Sequence, residues 1–111
     1  MDIKSDWDTY KEVSGCPRIN LDKIKESIKI IEEANLPYEF RTTIMKNYHN
    51  IDNITKICNY ISPKSTYYLQ NFVNSEFVIN KKLVPFTNDE LKELSKKLKV
   101  KFPNVKVRGI D

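Results

Sequence analysis

The 111-residue chain is long enough for one domain with a modest core. No apolar run approaches the ~20 residues that a membrane-spanning helix needs. Its 31% charged and 40% hydrophobic residues are ordinary for a globular chain, which excludes disordered and fibrous classes. The net charge of +4 rests on lysines interleaved with carboxylates (Lys25, Lys29, Lys92 and Lys96 among Glu26, Glu32, Glu33 and Glu93), so solvated mixed-sign faces explain it and nucleic acid is not expected as a partner. Met1 is followed at once by Asp2 and Lys4, which does not read as a signal peptide, and a cytoplasmic location is expected.

Residues 1–4 read as the end of a strand, with Asp2 and Lys4 on one face and Ile3 on the other. Ser5 and Asp8 have capping-box spacing and are expected to open a short helical turn through Trp7, Tyr10 and Val13, closed by Gly15. Asn20 then caps an amphipathic helix in which Leu21, Ile24, Ile28 and Ile31 repeat at three- and four-residue steps, ended by Asn35 and Pro37.

Residues 38–44 form the stretch around which the chain is organised. They are β-branched or aromatic apart from Glu39 and Arg41, and so predict a strand. Tyr38, Phe40, Thr42 and Ile44 point to one side, suited to packing under a helix, and Glu39, Arg41 and Thr43 to the other. His49, in the polar loop 46–50, reads as a surface residue rather than a base. A second helix is expected over 51–61, stopped by Ser62-Pro63, and a second aromatic strand over 66–72, with Tyr68, Gln70 and Phe72 opposite Tyr67, Leu69 and Asn71. Residues 74–84 read as a loop. Thr87 and Glu90 make a capping box for a last helix with Leu91, Leu94 and Leu98 inward, and Val105, Val107 and Ile110 suggest a short final strand.

This alternation predicts an α/β fold with a parallel sheet. A parallel strand buried on both faces should be apolar on both. Strands with one polar face instead suggest the wall of a partial (β/α) barrel, one domain spanning residues 1–111. In barrels the chemistry lies at the C-terminal strand ends, which nominates Asp2, Lys4, Arg41, Thr43, Gln70 and Asn71. Arg41 suits a carboxylate or phosphate, Asp2 an ammonium or sugar hydroxyl, Lys4 a second anionic group, and Gln70 both donates and accepts. The same residues equally suit internal ion pairs, Arg41 with Glu39 or Asp2 with Lys4. Cys16 and Cys58 have neither disulfide-framework nor metal-knuckle spacing, and Cys58 lies on an apolar helix face. Gly15 and Gly109 are too few for a glycine-rich phosphate loop.

Five segments stand in register: Met1-Asp2-Ile3-Lys4; Tyr10-Lys11-Glu12-Val13-Ser14-Gly15; Tyr38-Glu39-Phe40-Arg41-Thr42-Thr43; Tyr67-Tyr68-Leu69-Gln70-Asn71-Phe72; and Pro103-Asn104-Val105-Lys106-Val107-Arg108-Gly109. In this order and spacing the chain resembles the C-terminal half of the radical S-adenosylmethionine activating enzymes, the group that includes the activators of anaerobic ribonucleoside-triphosphate reductase and pyruvate formate-lyase. The resemblance implies the later strands of a partial barrel. It implies an S-adenosylmethionine site in which Asp2 and Lys4 match an Asp-x-Lys strand end, Arg41 meets the methionyl end, and Gln70 lies on the strand closing the pocket. In that family a 4Fe–4S cluster reduces S-adenosylmethionine to a 5′-deoxyadenosyl radical, which takes hydrogen from a glycine of a partner glycyl-radical enzyme. The Cys-x3-Cys-x2-Cys cluster loop and the glycine-rich strand end are absent, and Ser5-Asp6 stands where a small residue and proline are expected. The chain is therefore expected to be inactive alone, with Met1 matching an internal methionine of a longer protein and an N-terminal half to be supplied. The alternative is a non-catalytic module that docks on a glycyl-radical enzyme or binds a nucleotide. Half a barrel also exposes two strand edges, so the isolated chain is expected to associate.

Overall fold

Side chains along β1 (Glu39–Ile44) alternate strictly: Phe40, Thr42 and Ile44 are fully buried, and Glu39, Arg41 and Thr43 are exposed. The same alternation runs through β2 (Thr66–Asn71), where Tyr67 and Leu69 are buried. It recurs in β3 (Val105–Arg108), where Val105 is buried and Lys106 and Arg108 are exposed. The computed structural model describes residues 1–73 and 83–108. Among them β1, β2 and β3 form a three-stranded, all-parallel sheet in that order. Phe40 is level with Tyr67 and Tyr67 with Val105, so the apolar sides of all three strands face the same way.

The first residues extend this sheet beyond β1. Asp2 bridges Arg41 in parallel register, with the Ile3 amide donating to the Arg41 carbonyl at 2.7 Å and the Arg41 amide to the Met1 carbonyl at 2.9 Å. Beneath the sheet the Thr42 hydroxyl donates to the Ile3 carbonyl at 2.6 Å and accepts from the Tyr67 hydroxyl. The expected strand end is thus seated at one edge by main chain and side chain together.

Parallel neighbours require crossovers, and helices supply them. α2 (Leu21–Glu33) begins where the Asn20 side chain accepts from the Asp22 and Lys23 amides. α3 (Ile51–Tyr60) opens on a capping box between Asn50 and Asn53, and α4 (Asn88–Lys101) on the expected box between Thr87 and Glu90. Their inward residues, Ile28, Ile54, Ile57, Leu91, Leu94 and Leu98, join Phe40, Ile44, Tyr67, Leu69 and Val105 in one core. Among the described residues the sheet is therefore clad by helices on one face and open on the other.

The opening turn differs from its expected form. α1 (Tyr10–Ser14) starts at Tyr10, not at Ser5, and Asp8 caps nothing. Instead Asp6, which is 5% exposed, accepts from the Thr9 amide at 3.0 Å and from the Thr9 hydroxyl, while the Ser5 and Thr9 hydroxyls bond at 2.7 Å. A carboxylate one turn before the helix meets Thr9 at short range, which leaves Asp8 free to pair with Lys56 at 3.0 Å. Gly15 ends α1 as expected, in the left-handed conformation at φ 69° that only glycine adopts without strain. Of the expected final strand, Ile110 lies outside the described residues, as does most of the loop 74–84. Among the described residues no helix is long and apolar enough to cross a membrane.

Candidate functional site

The open face carries the polar alternates of every strand. Asp2, Arg41, Tyr68 and Lys106 are level across four adjacent segments and form one row. Thr43, Gln70 and Arg108 form the next row toward the C-terminal strand ends. Neighbouring strands lie about 4.8 Å apart and side chains on one face recur about every 6.6 Å, so these rows enclose an area the size of a small molecule. Five of the six residues nominated from sequence, Asp2, Lys4, Arg41, Thr43 and Gln70, are brought to this face. Asn71 points the other way: its carboxamide brackets the main chain of Phe86, accepting from its amide and donating to its carbonyl, each at 2.9 Å.

The electrostatics of the face are uneven. Lys4, Arg41, Lys106 and Arg108 stand against Asp2 and Glu39. Lys4 Nζ meets Asp2 Oδ2 at 2.7 Å, one of the two ion pairs anticipated from sequence. The other does not form. Glu39 accepts instead from Arg108 at 3.4 Å, because Arg108 lies over the Tyr68 ring, its Cζ 3.6 Å from the centroid, and ends beside Glu39. A cation over an exposed aromatic face is stabilised by about 0.5–1 kcal/mol, enough to fix that rotamer in preference to an extended one. The Arg41 guanidinium is left without an ion-pair or hydrogen-bond partner among the described residues. Beside it, Asp2 Oδ1 is buried and accepts no hydrogen bond. The unpartnered guanidinium can take the carboxylate of a zwitterion, and the Asp2 side chain, level with Arg41 and 33% exposed overall, can take its ammonium or a hydroxyl.

Three features of the site lie outside the sequence-based candidates. Tyr68 and Arg108 belong to it by the same alternation that placed Gln70, and that signal was present in the sequence. His49 carried no such signal. It is 3% exposed rather than a surface residue. Its Nδ1 accepts from the Met45 amide at 3.2 Å and its Nε2 lies 2.9 Å from the Lys4 carbonyl. Burial pushes the ring below the ordinary imidazole value, against the opposing influence of the Lys4 and Met45 main chain and of Asp6.

The cysteines do not suit an iron–sulfur cluster. Cys16 is exposed and Cys58 is buried, and burial holds the Cys58 thiol up at about 12. A 4Fe–4S cluster takes its ligands chiefly as thiolates, and two cysteines cannot supply three. Among the described residues no group of histidine, cysteine and carboxylate side chains gathers as a metal would require.

No family model, curated protein or solved structure matches the chain.

Proposed function

We propose that this chain is the S-adenosylmethionine-binding half of a glycyl-radical activating protein, folded as part of a parallel (β/α) barrel whose lumen is the open face. The observation that carries the reading is the unpartnered Arg41 guanidinium, level with the Asp2 carboxylate on that face. S-adenosylmethionine presents the carboxylate, ammonium and ribose that this pair suits. Arg41 binds the methionyl carboxylate, Asp2 accepts from the ammonium or a ribose hydroxyl, and Lys4 orients the Asp2 carboxylate. Gln70 lies one row further along and offers a donor and an acceptor to the rest of the ligand. The unbroken strand order supports a barrel over a doubly wound sheet, in which the order reverses. Bound S-adenosylmethionine is a radical source only where a cluster can reduce it. That cluster belongs to another polypeptide segment, and this chain binds and orients the ligand.

The test is a backbone amide titration with S-adenosylmethionine. Shifts are expected at Asp2, Lys4, Arg41 and Gln70, and Arg41→Ala is expected to weaken binding about tenfold to a hundredfold, the worth of a charge-assisted pair. No shifts on the open face, or an unchanged affinity in Arg41→Ala, would remove the reading. The two-cysteine count also favours a second reading, a non-catalytic module that docks on a glycyl-radical enzyme. It requires capture of that enzyme to survive Arg41→Ala while S-adenosylmethionine has no effect.

A further inference from the structure

We propose that His49 is the positioning residue of the open face: its neutral ring pins the end of residues 1–4 to the turn after β1, and protonation releases them. Two main-chain partners fix the tautomer. Nδ1 takes the Met45 N–H, so the proton sits on Nε2 and is donated to the Lys4 carbonyl. Only that neutral form satisfies both partners. A charged ring carries hydrogen on both nitrogens, and its Nδ1–H would face the Met45 N–H, donor against donor. The ring has little room in which to turn away, being 3% exposed.

The bond matters because of what it joins. Met45 directly follows β1, which carries Arg41, and Lys4 ends the segment that carries Asp2. The remaining ties of that segment are the Met1 ammonium on the Glu39 carbonyl, the Ile3 and Arg41 amides and the Thr42 hydroxyl, and of the other contacts among the described residues only the Tyr10 phenol reaches the Lys4 main chain. Lys4 in turn holds Asp2, which lies level with Arg41. Losing the His49 bond leaves the Lys4 main chain to Tyr10 alone, and so loosens the pair on which the zwitterion reading depends.

Among the described residues one charged side chain acts on the ring with resolved strength. Asp6, from the turn before α1, favours the charged ring, and Lys56 of α3 stands 3.9 Å from its carboxylate and weakens that pull. Burial outweighs both, so the ring is neutral near neutral pH and charges only below the ordinary imidazole value. The consequence for S-adenosylmethionine rests on the ligand reading above, whereas the release of residues 1–4 does not.

The experiment measures amide hydrogen-exchange protection at Ile3 and Arg41 from about pH 8 to about pH 5, in the unaltered chain and in His49→Gln, with S-adenosylmethionine affinity at both ends of that range. Glutamine retains an amide donor for the Lys4 carbonyl but does not titrate. Protection in the unaltered chain is expected to fall about tenfold for each unit by which folding lowers the imidazole pKa, and affinity to fall with it, while His49→Gln stays flat in both. Constant protection in the unaltered chain, or an equal loss in His49→Gln, overturns the proposal. If S-adenosylmethionine fails to bind at either pH while protection still falls, the ligand reading fails and the role of His49 stands. Should His49→Gln not fold, the ring resonances of His49 in the unaltered chain decide. Their titration midpoint must coincide with the midpoint of the Ile3 and Arg41 loss, and a separation of the two refutes the proposal.

Discussion

Thr42→Val is the substitution that most directly tests how the sheet is held beneath its open face. Thr42 is fully buried, and its hydroxyl proton goes to the Ile3 carbonyl, so the Tyr67 phenol must donate to Thr42 Oγ1. Burial raises the Tyr67 phenol well above its ordinary value and keeps it a donor. The resulting relay ties β2 to β1 and β1 to the first residues. Valine keeps the shape and suits a strand, but leaves the Tyr67 hydroxyl and the Ile3 carbonyl buried without this partner. Each such group costs about 1–3 kcal/mol, and the added methyl returns about 0.8, for a net loss of about 3 kcal/mol. With a urea slope of about 2 kcal/mol/M, the unfolding midpoint should drop by about 1.5 M, read from the fluorescence of Trp7. Tyr67→Phe should cost only about 1 kcal/mol, because Thr42 still donates to Ile3. Since the second change removes the group orphaned by the first, the double variant should be no less stable than Thr42→Val alone. Losses that simply add, or a Thr42→Val midpoint within about 0.2 M of the unaltered chain, would refute the relay.

Native chain should expose one reactive thiol to an aromatic disulfide reagent at about pH 8, Cys16, and a second only after unfolding; rapid reaction of both would contradict the burial that holds Cys58 up at about 12. Asn53→Ala removes half of the α3 capping box and a 2.6 Å donor to the Tyr48 carbonyl, and should cost about 1–3 kcal/mol; a melting temperature within about 2 °C of the unaltered chain would show that the cap is dispensable. The folded state holds His49 below its ordinary value of 6.5, so fewer protons bind the fold than the unfolded chain; this contribution is present above about pH 6.5 and is lost as pH falls below it. A urea midpoint lower at about pH 5.5 than at about pH 7.5, with the difference reduced in His49→Gln, is the expected outcome; an equal drop in both proteins would assign the acid sensitivity elsewhere.

Much of this architecture is legible in the chain because single residues dictate it locally. Asn20, Thr87 with Glu90, and Gly15 mark helix ends by chemistry confined to one turn, and each does so in the structure. The period-two alternation of residues 39–44 separates Phe40, Thr42 and Ile44 from Glu39, Arg41 and Thr43 wherever the strand is placed. What escaped depends on partners distant in sequence. His49 sits in a polar loop, and its buried ring meets the Lys4 carbonyl, forty-five residues away in sequence. Asp6 and Asp8 are indistinguishable as capping candidates until the turn geometry brings Thr9 onto Asp6. Glu39 has Arg41 two positions away on its own face, yet it pairs with Arg108 because the Tyr68 ring carries that guanidinium across the sheet. The sign and type of residue on the open face were readable, while the choice of partners there was not.

The unbroken sequence of strands also bears on how the chain is made. Residues 1–4 pair with β1, β1 with β2 and β2 with β3, so each strand is laid against a neighbour that precedes it. A chain emerging from the ribosome at about 5–20 residues per second is slower by orders of magnitude than helix formation. Every newly exposed strand therefore finds its docking edge already synthesised, and the sheet can grow outward in one direction. A doubly wound order would instead leave an early strand waiting, bare on one edge, for a partner not yet translated.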